Sequence, residues 1–235
     1  MKVLITGAGG KVATAVRKEL AENGHELRLM DVRPIDDPEG QIVVASITNR
    51  RDLAQAVAGM DAVVQLALSS DCHAAEGFDL NITGTYMLLE EALAAGVQRA
   101  VCTSSLSVYS GPSSPTRWGI TEETPPVPGG GPYTMMKIFE EHIVRYFAEE
   151  MGLPATVLRL TGPLTAAEWE ETAVAGTGGA GSTHLEDVAQ AFRLALEREA
   201  SGYEVYHIGS EHSSGELPID KAKRILGYRP QWGFE

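Results

Sequence analysis

Tyr133 and Lys137 stand four residues apart in the run Tyr133-Thr-Met-Met-Lys137, the spacing that puts two side chains one turn apart on the same face of a helix. An ammonium beside a phenol favours the phenolate and brings it toward proton transfer at moderate pH. The chain has seven tyrosines, so this pairing also arises by accident, and a solvated helix lysine is the plain alternative. A second constellation lies at the amino end. Thr6-Gly7-Ala8-Gly9-Gly10-Lys11-Val12-Ala13 joins an apolar stretch to a helical pattern; such a turn offers backbone N–H groups to a pyrophosphate. Gly7, Gly10, Lys11 and Val12 are the candidate contacts, in a GxxGxxA spacing closed by Ala13. Asp31, one strand later, is placed to accept hydrogen bonds from adenosine ribose hydroxyls and to repel a ribose phosphate. That favours NAD over NADP, with Arg33 offsetting part of the repulsion. A turn that binds nothing and an acid that merely ends a strand are the alternatives.

The elements that must hold these residues alternate. KVLIT, HELRLMD, QIVVAS, DAVVQLAL, RAVCTSS, PATVLRL and YEVYHIG read as strands. Helical patterns run from Gly10 to the stop at Asn23-Gly24, through RRDLAQAVAG, over about 78–95, from Tyr133 toward Gly152, and along HLEDVAQAFRLALERE. The Pro-, Gly- and Ser-rich stretch 111–132 reads as loop. Parallel strands need crossovers, and right-handed crossovers place helices on both faces of the sheet. About seven strands with the glycine turn after the first predict an α/β, open, doubly wound parallel sheet, with ligands outside the carboxyl ends of its strands. The whole chain, 1–235, reads as one domain.

Composition narrows the classes. A net charge of -13 argues against binding a nucleic acid backbone, which needs clustered Lys and Arg. No apolar run approaches a membrane span, and the chain opens on a strand pattern rather than a signal segment, so a cytoplasmic location without membrane contact is expected. Two cysteines, Cys72 and Cys102, imply no disulfide framework, and the six histidines show no ligand spacing, so no metal is expected.

Taken in order, TGAGGKVA, Asp31, DAVVQLAL, Asn81-Ile-Thr-Gly-Thr85, Thr103-Ser104-Ser105 with Val108-Tyr109, YTMMK, Leu158-Arg159-Leu160 with Gly162-Pro163, His184-Leu-Glu-Asp187 and a tail with Leu-Gly-Tyr-Arg-Pro230 resemble the extended short-chain dehydrogenase/reductase family, the NAD-dependent epimerase/dehydratases. The resemblance spans nearly the whole chain. It implies a Rossmann-type sheet with NAD as cofactor, a catalytic set of Ser105, Tyr133 and Lys137, and a homodimer formed through the helices around the catalytic strand. Ser104 is the neighbouring alternative to Ser105. By the same resemblance Tyr133 and Lys137 also touch the cofactor, Lys137 through the nicotinamide ribose, and Leu66 and Ala67 stand where the family has HLA. Asn81 belongs near the cofactor or serves as an ordinary helix cap. Ser46 and Ile47 occupy the adenine position, where the family often has Asp, so that only a weaker hydroxyl contact is available. Ser69 and Ser107 are candidate substrate contacts, with exposed loop serines as the alternative. His184 reads as a helix-start residue rather than a base.

The substrate end departs from the larger relatives. Between residues 160 and 185 there is no Lys or Arg, so a nucleotide-sugar diphosphate would find little to pair with. The compressed length is similar to the short uronate and aldose dehydrogenases of the family, although their substrate Arg has no counterpart. A reduced C-terminal substrate part, with capping segments near 163–183 and 211–235, is expected. The reaction expected is oxidation of a small, unactivated sugar or hydroxy compound; a sugar epimerase or dehydratase, and a non-catalytic cofactor sensor, are the other readings.

Overall fold

The structure is a computed structural model that describes residues 1–37, 40–69, 71–72, 75–111, 119–178, 181–199, 201–212 and 218–234. Its centre is a seven-stranded sheet formed by β1 (Lys2–Thr6), β2 (Glu26–Asp31), β3 (Gln41–Val44), β4 (Ala62–Gln65), β5 (Arg99–Ser105), β6 (Ala155–Leu160) and, after two short strands β7 (Pro163–Leu164) and β8 (Thr183–His184), β9 (Tyr203–Ile208). The order is β3-β2-β1-β4-β5-β6-β9 and every neighbouring pair is parallel. Strands β1 and β4 are neighbours whose chains depart in opposite directions, which opens a crevice at their carboxyl ends. Thr6 pairs in register with both Met30 and Gln65, so the strand ends that border that crevice are level.

Alternate residues of β1 explain why both faces must be covered. Val3 and Ile5 enter one apolar layer, with Val16 and Leu20 of α1 (Lys11–Glu22) and Val188, Phe192 and Leu196 of α7 (Leu185–Glu197). Leu4 enters the other, with Leu53 of α2 (Arg50–Val57), Leu88 and Leu89 of α4 (Gly84–Ala94), and Val144 and Phe147 of α5 (Pro132–Glu149). Side chains on a strand alternate between faces, and a sheet apolar on both must bury both.

Two elements differ from the sequence reading. The helix expected over 78–95 begins at α3 (Ala75–Phe78) and continues through a π-helical turn, Asp79–Thr83, into α4. Gly84 sits there because a Cβ would lie 2.7 Å from the Ile47 side chain, so the helix can approach the wall of the crevice only at a glycine. The tail forms elements that the sequence reading did not give, and 213–217 and 235 of it lie outside the described residues. Beyond β10 (Glu211–His212) come a π-helical turn, Ala222–Leu226, and β11 (Gly233–Phe234); Tyr228 is wholly buried in the α1/α7 layer, and its hydroxyl donates to the Gly209 carbonyl at 2.9 Å. The segment between β7 and β8 does form a small excursion, carrying α6 (Ala166–Val174) behind a Thr165–Glu168 capping box. Among the described residues no helix is long and apolar enough to cross a membrane, and no cluster suited to a metal occurs.

Candidate active site

The glycine turn lies against the crevice. Gly7 has φ +63°, and a Cβ on it would stand 2.6 Å from both the backbone N and Cα of Ala67, so only glycine lets the first turn touch the turn after β4. Gly10 closes that turn, its N–H donating to the Gly7 carbonyl at 2.9 Å, and caps α1 without any side chain. The first N–H groups of the helix, at Lys11 and Val12, are therefore not taken by a capping side chain and can receive an anion. The Lys11 side chain does not hang free: its Nζ reaches Glu168 of α6 at 3.1 Å.

Asp31 ends β2, buried at the edge of a cavity of about 350 Å3 shared with Gly7, Arg33, Ser46, Ile47, Ala67 and Ser69. Its carboxylate accepts from the Gly9 N–H at 2.9 Å and the Arg33 N–H at 3.0 Å. A carboxylate so oriented presents its remaining lone pairs to ribose hydroxyls. Ser46 and Ile47 line this cavity, with the Ser46 hydroxyl paired to Thr48 at 2.8 Å. Ser69 lines this cavity and not the one that Tyr133 lines.

A second cavity, about 340 Å3, is lined by Val12, Leu66, Leu68, Ser105, Tyr133, Lys137, Leu160 and Gly162 among others. Leu68 borders both cavities. Ser105, Tyr133 and Lys137 converge on it from two elements. Ser105 is the last residue of β5, and its Oγ accepts the Ser107 N–H at 3.1 Å, which leaves its own hydrogen available to a ligand. The neighbouring Ser104 is otherwise committed: buried, it donates to Glu141 Oε1 at 2.6 Å. Ser105 is thus the serine with a hydroxyl to offer. Pro132 starts α5 at its first position, where a proline costs no hydrogen bond, and Tyr133 follows with its hydroxyl free of any partner among the described residues. Lys137, one turn on, is buried; its Nζ donates to Glu140 Oε2 at 2.7 Å and to the Thr103 carbonyl at 3.3 Å. Burial works against the charge on Lys137, but Glu140 and Tyr133 outweigh it and hold the ammonium above its ordinary value. Burial likewise raises Glu140, with Lys137 opposing.

Asn81 and Ser107 fall elsewhere. Asn81 is wholly buried within the π-helical turn; Oδ1 accepts the Ser69 N–H at 3.2 Å and Nδ2 donates to Met136 Sδ at 3.3 Å. It is not a helix cap, and it ties the turn after β4, at the edge of the Asp31 cavity, to α5. Ser107 lines neither cavity, and its hydroxyl is buried without a partner among the described residues. His184 does start α7, its Nδ1 accepting the Glu186 N–H at 3.2 Å.

Several supporting residues escaped the sequence reading. Gln65 is buried at the crevice and joins three elements: Oε1 accepts from Thr6 Oγ1 at 2.9 Å and from the Ala67 N–H at 2.6 Å, while Nε2 donates to Thr85 at 2.9 Å. Beneath the relay, Arg159 of β6 grips Glu141 with both Nε, at 2.8 Å, and Nη2, at 2.7 Å, and its Nη1 donates to the Tyr109 hydroxyl. Tyr109 in turn meets His207 Nε2 at 3.0 Å. The spacing of Lys137, Glu141 and Val144 along one helix face was the available signal.

Parallel sheet, glycine turn, an acid at the end of β2 and a cavity that gathers Ser105, Tyr133 and Lys137 define a nucleotide-cofactor oxidoreductase built on a Rossmann-type sheet. A sequence model of the NAD dependent epimerase/dehydratase family matches residues 3–171. The L-arabinose 1-dehydrogenase (NAD(P)(+)) of Haloferax volcanii is 30% identical over 251 residues, covering 98% of this chain and 96% of that one. The NAD-dependent glucose-6-phosphate dehydrogenase of the same organism is 27% identical, over 97% and 92% of the two chains. Among solved structures, the uronate dehydrogenase of Agrobacterium tumefaciens superposes with a TM-score of 0.84 at 23% identity, over 99% of this chain and 85% of that one. The chain belongs to the NAD-dependent epimerase/dehydratase family. It is an enzyme of the extended short-chain dehydrogenase/reductase kind, and NAD is its cofactor.

Proposed function

We propose that the protein is a dehydrogenase that oxidises a hydroxyl group of a small, unactivated and uncharged sugar or related hydroxy compound. The carrying observation is the composition of the 340 Å3 cavity: Ser105, Tyr133 and Lys137 stand among Val12, Leu66, Leu68, Leu160 and Pro163. Among the described residues Lys137 is the one cation in that lining, and its charge is already matched by Glu140 at 2.7 Å. An anionic substrate would lose hydration there without gaining a partner. The name of the L-arabinose 1-dehydrogenase relative supports the same substrate class.

Ser105 donates its hydroxyl hydrogen to the substrate oxygen and so places the reacting hydroxyl beside Tyr133. Tyr133, as phenolate, takes the proton of that hydroxyl. Lys137 stabilises the phenolate, and its remaining donor is directed to the cavity. Gly7, the α1 amino terminus and Asp31 hold the cofactor, with Ser46 and Ile47 beside its adenine; bound NAD supplies the hydride acceptor. The apolar walls keep water from the reacting pair. We also infer a homodimer through α4 and α5, where Tyr86, Phe139 and Tyr146 remain exposed; Leu89 and Phe147, by contrast, are core residues.

The test is a screen of aldoses, uronic acids and small secondary alcohols with NAD, following reduced cofactor. A dehydrogenase releases it in proportion to substrate consumed; an epimerase leaves the absorbance unchanged. Tyr133→Phe should keep NADH binding and lose turnover by at least about a hundredfold. Turnover at the parent rate in that variant would refute the assignment.

A further inference from the structure

We propose that Glu140 is a positioning residue of the proton relay, dividing the charge of the Lys137 ammonium between its own carboxylate and the Tyr133 phenolate. The proposal rests on the reading of Tyr133 as the proton-transfer group. Glu140 lies on the buried face of α5 three residues beyond Lys137, and its Oε2 accepts from Nζ at 2.7 Å. An ammonium has three hydrogens. Glu140 takes one, the Thr103 carbonyl at 3.3 Å takes a second, and the third is left for the cavity that Tyr133 lines. Two fixed acceptors therefore aim the one donor that the reaction uses.

Adjacent acids on this helix are treated differently. Glu141 is closed off, with Arg159 holding both oxygens and Ser104 adding a third bond. Glu140 is open: Oε1 has no partner among the described residues, and a void of about 10 Å3 adjoins it, lined also by Gln65, Thr85, Thr103 and Ser104. Such a void is near the limit for a single water; Cys102, Val144 and Val157 complete its lining. An acid needed only to stabilise the fold would be satisfied as Glu141 is. Glu140 is instead 5% exposed with its charge directed at one lysine, in surroundings where charges act far more strongly than at a surface.

The other charges around the pair do not cancel this effect. Cys102 of β5 is pushed up to about 12 by burial and stays a neutral thiol. Cys72, in the turn after β4, is also raised by burial, and Asp71 beside it is exposed. Arg159 of β6 is matched by Glu141, and Tyr203 of β9 is raised by burial and remains a phenol. Glu90 and Glu91 of α4 pair with Arg50 at the surface. Asp79 of the π-helical turn is exposed. Removing the Glu140 charge thus leaves the phenolate and the Thr103 carbonyl as the partners of the ammonium, whose charge Tyr133 still favours.

The test needs no substrate. The phenolate absorbance of the whole chain, minus that of its Tyr133→Phe variant, follows the ionisation of Tyr133 with pH. Glu140→Gln should lower the midpoint by about one pH unit, a tenfold change in the ionisation constant, and Glu140→Ala should lower it likewise. An unchanged or raised midpoint in either folded variant overturns the proposal, and so does failure of both to fold, which would make Glu140 a stability residue. Turnover by Tyr133→Phe is read separately: if it persists, the proton-transfer role of Tyr133 fails, whereas a fixed midpoint with dead Tyr133→Phe sinks only the role of Glu140.

Discussion

Gly7→Ala is the sharpest test of how the cofactor crevice is built. At φ +63° an L-residue costs about 1–2 kcal/mol. The new methyl would also stand 2.6 Å from the Ala67 N and Cα and 2.8 Å from the Leu66 carbonyl carbon, nearly an ångström inside contact, and the atoms it meets are backbone. The turn after β4 must retreat, which strains or breaks the 2.6 Å bond from the Ala67 N–H to Gln65, worth about 1 kcal/mol. Together these are about 2–3 kcal/mol, and in a domain of this size each kcal/mol lowers the melting temperature by about 2–4 °C. A fall of roughly 4–12 °C is therefore expected in a thermal melt. Fluorescence titration with NADH should show binding weakened by at least about tenfold, the equivalent of about 1.4 kcal/mol, because Ala67 lines the crevice. A variant that melts with the parent and binds NADH as tightly would show that the two turns do not touch as described.

Two further outcomes follow from neighbouring residues. Ser105→Ala should lower kcat on the order of a hundredfold with little change in melting temperature. Ser104→Ala should do the reverse, losing about 1.5–3 kcal/mol of stability from its bond to a buried carboxylate while turnover persists; comparable rate losses in both would undo the choice of Ser105. His207 supplies a pH signature. Burial, with help from Arg159 and Lys221, pushes it from 6.5 down to about 3. Its folded form is neutral, so its contribution is complete above pH 6.5 and declines as pH falls toward 3, at up to about 1.4 kcal/mol per pH unit. Urea denaturation at pH 7 and pH 5 should show the parent losing about 2 kcal/mol more than His207→Gln; equal losses would mean His207 is protonated in the fold.

The sheet, its order of strands and helices, and the glycine turn were legible because they are periodic or local. Apolar runs such as KVLIT mark strands buried on both faces, and Gly7 signals a backbone constraint of its own. The relay pair was legible because one helix carries both members. Long-range partners were not. Gln65 reads as an ordinary strand-end polar residue until Thr6 and Thr85 are folded against it. Glu140 and Glu141 read as solvated charges, since carboxylates are rarely buried without partners, and their partners come from β5, β6 and the preceding helix turn. The surroundings of Asn81 and Ser69 were hidden for a related reason: the path of the backbone after β4 decides what they face, and no sequence spacing encodes that path.

The Arg159–Glu141–Tyr109–His207 chain lies under the sheet's carboxyl end and draws on β6, α5, the segment after β5, and β9. None of its members comes from the excursion between β7 and β8 that carries α6. The helix that carries Tyr133 and Lys137 is therefore anchored independently of that excursion. Exchange of the excursion between relatives should change what the enzyme accepts while leaving its proton chemistry intact, a modularity that lets one reactive centre diversify by altering one short segment at its rim.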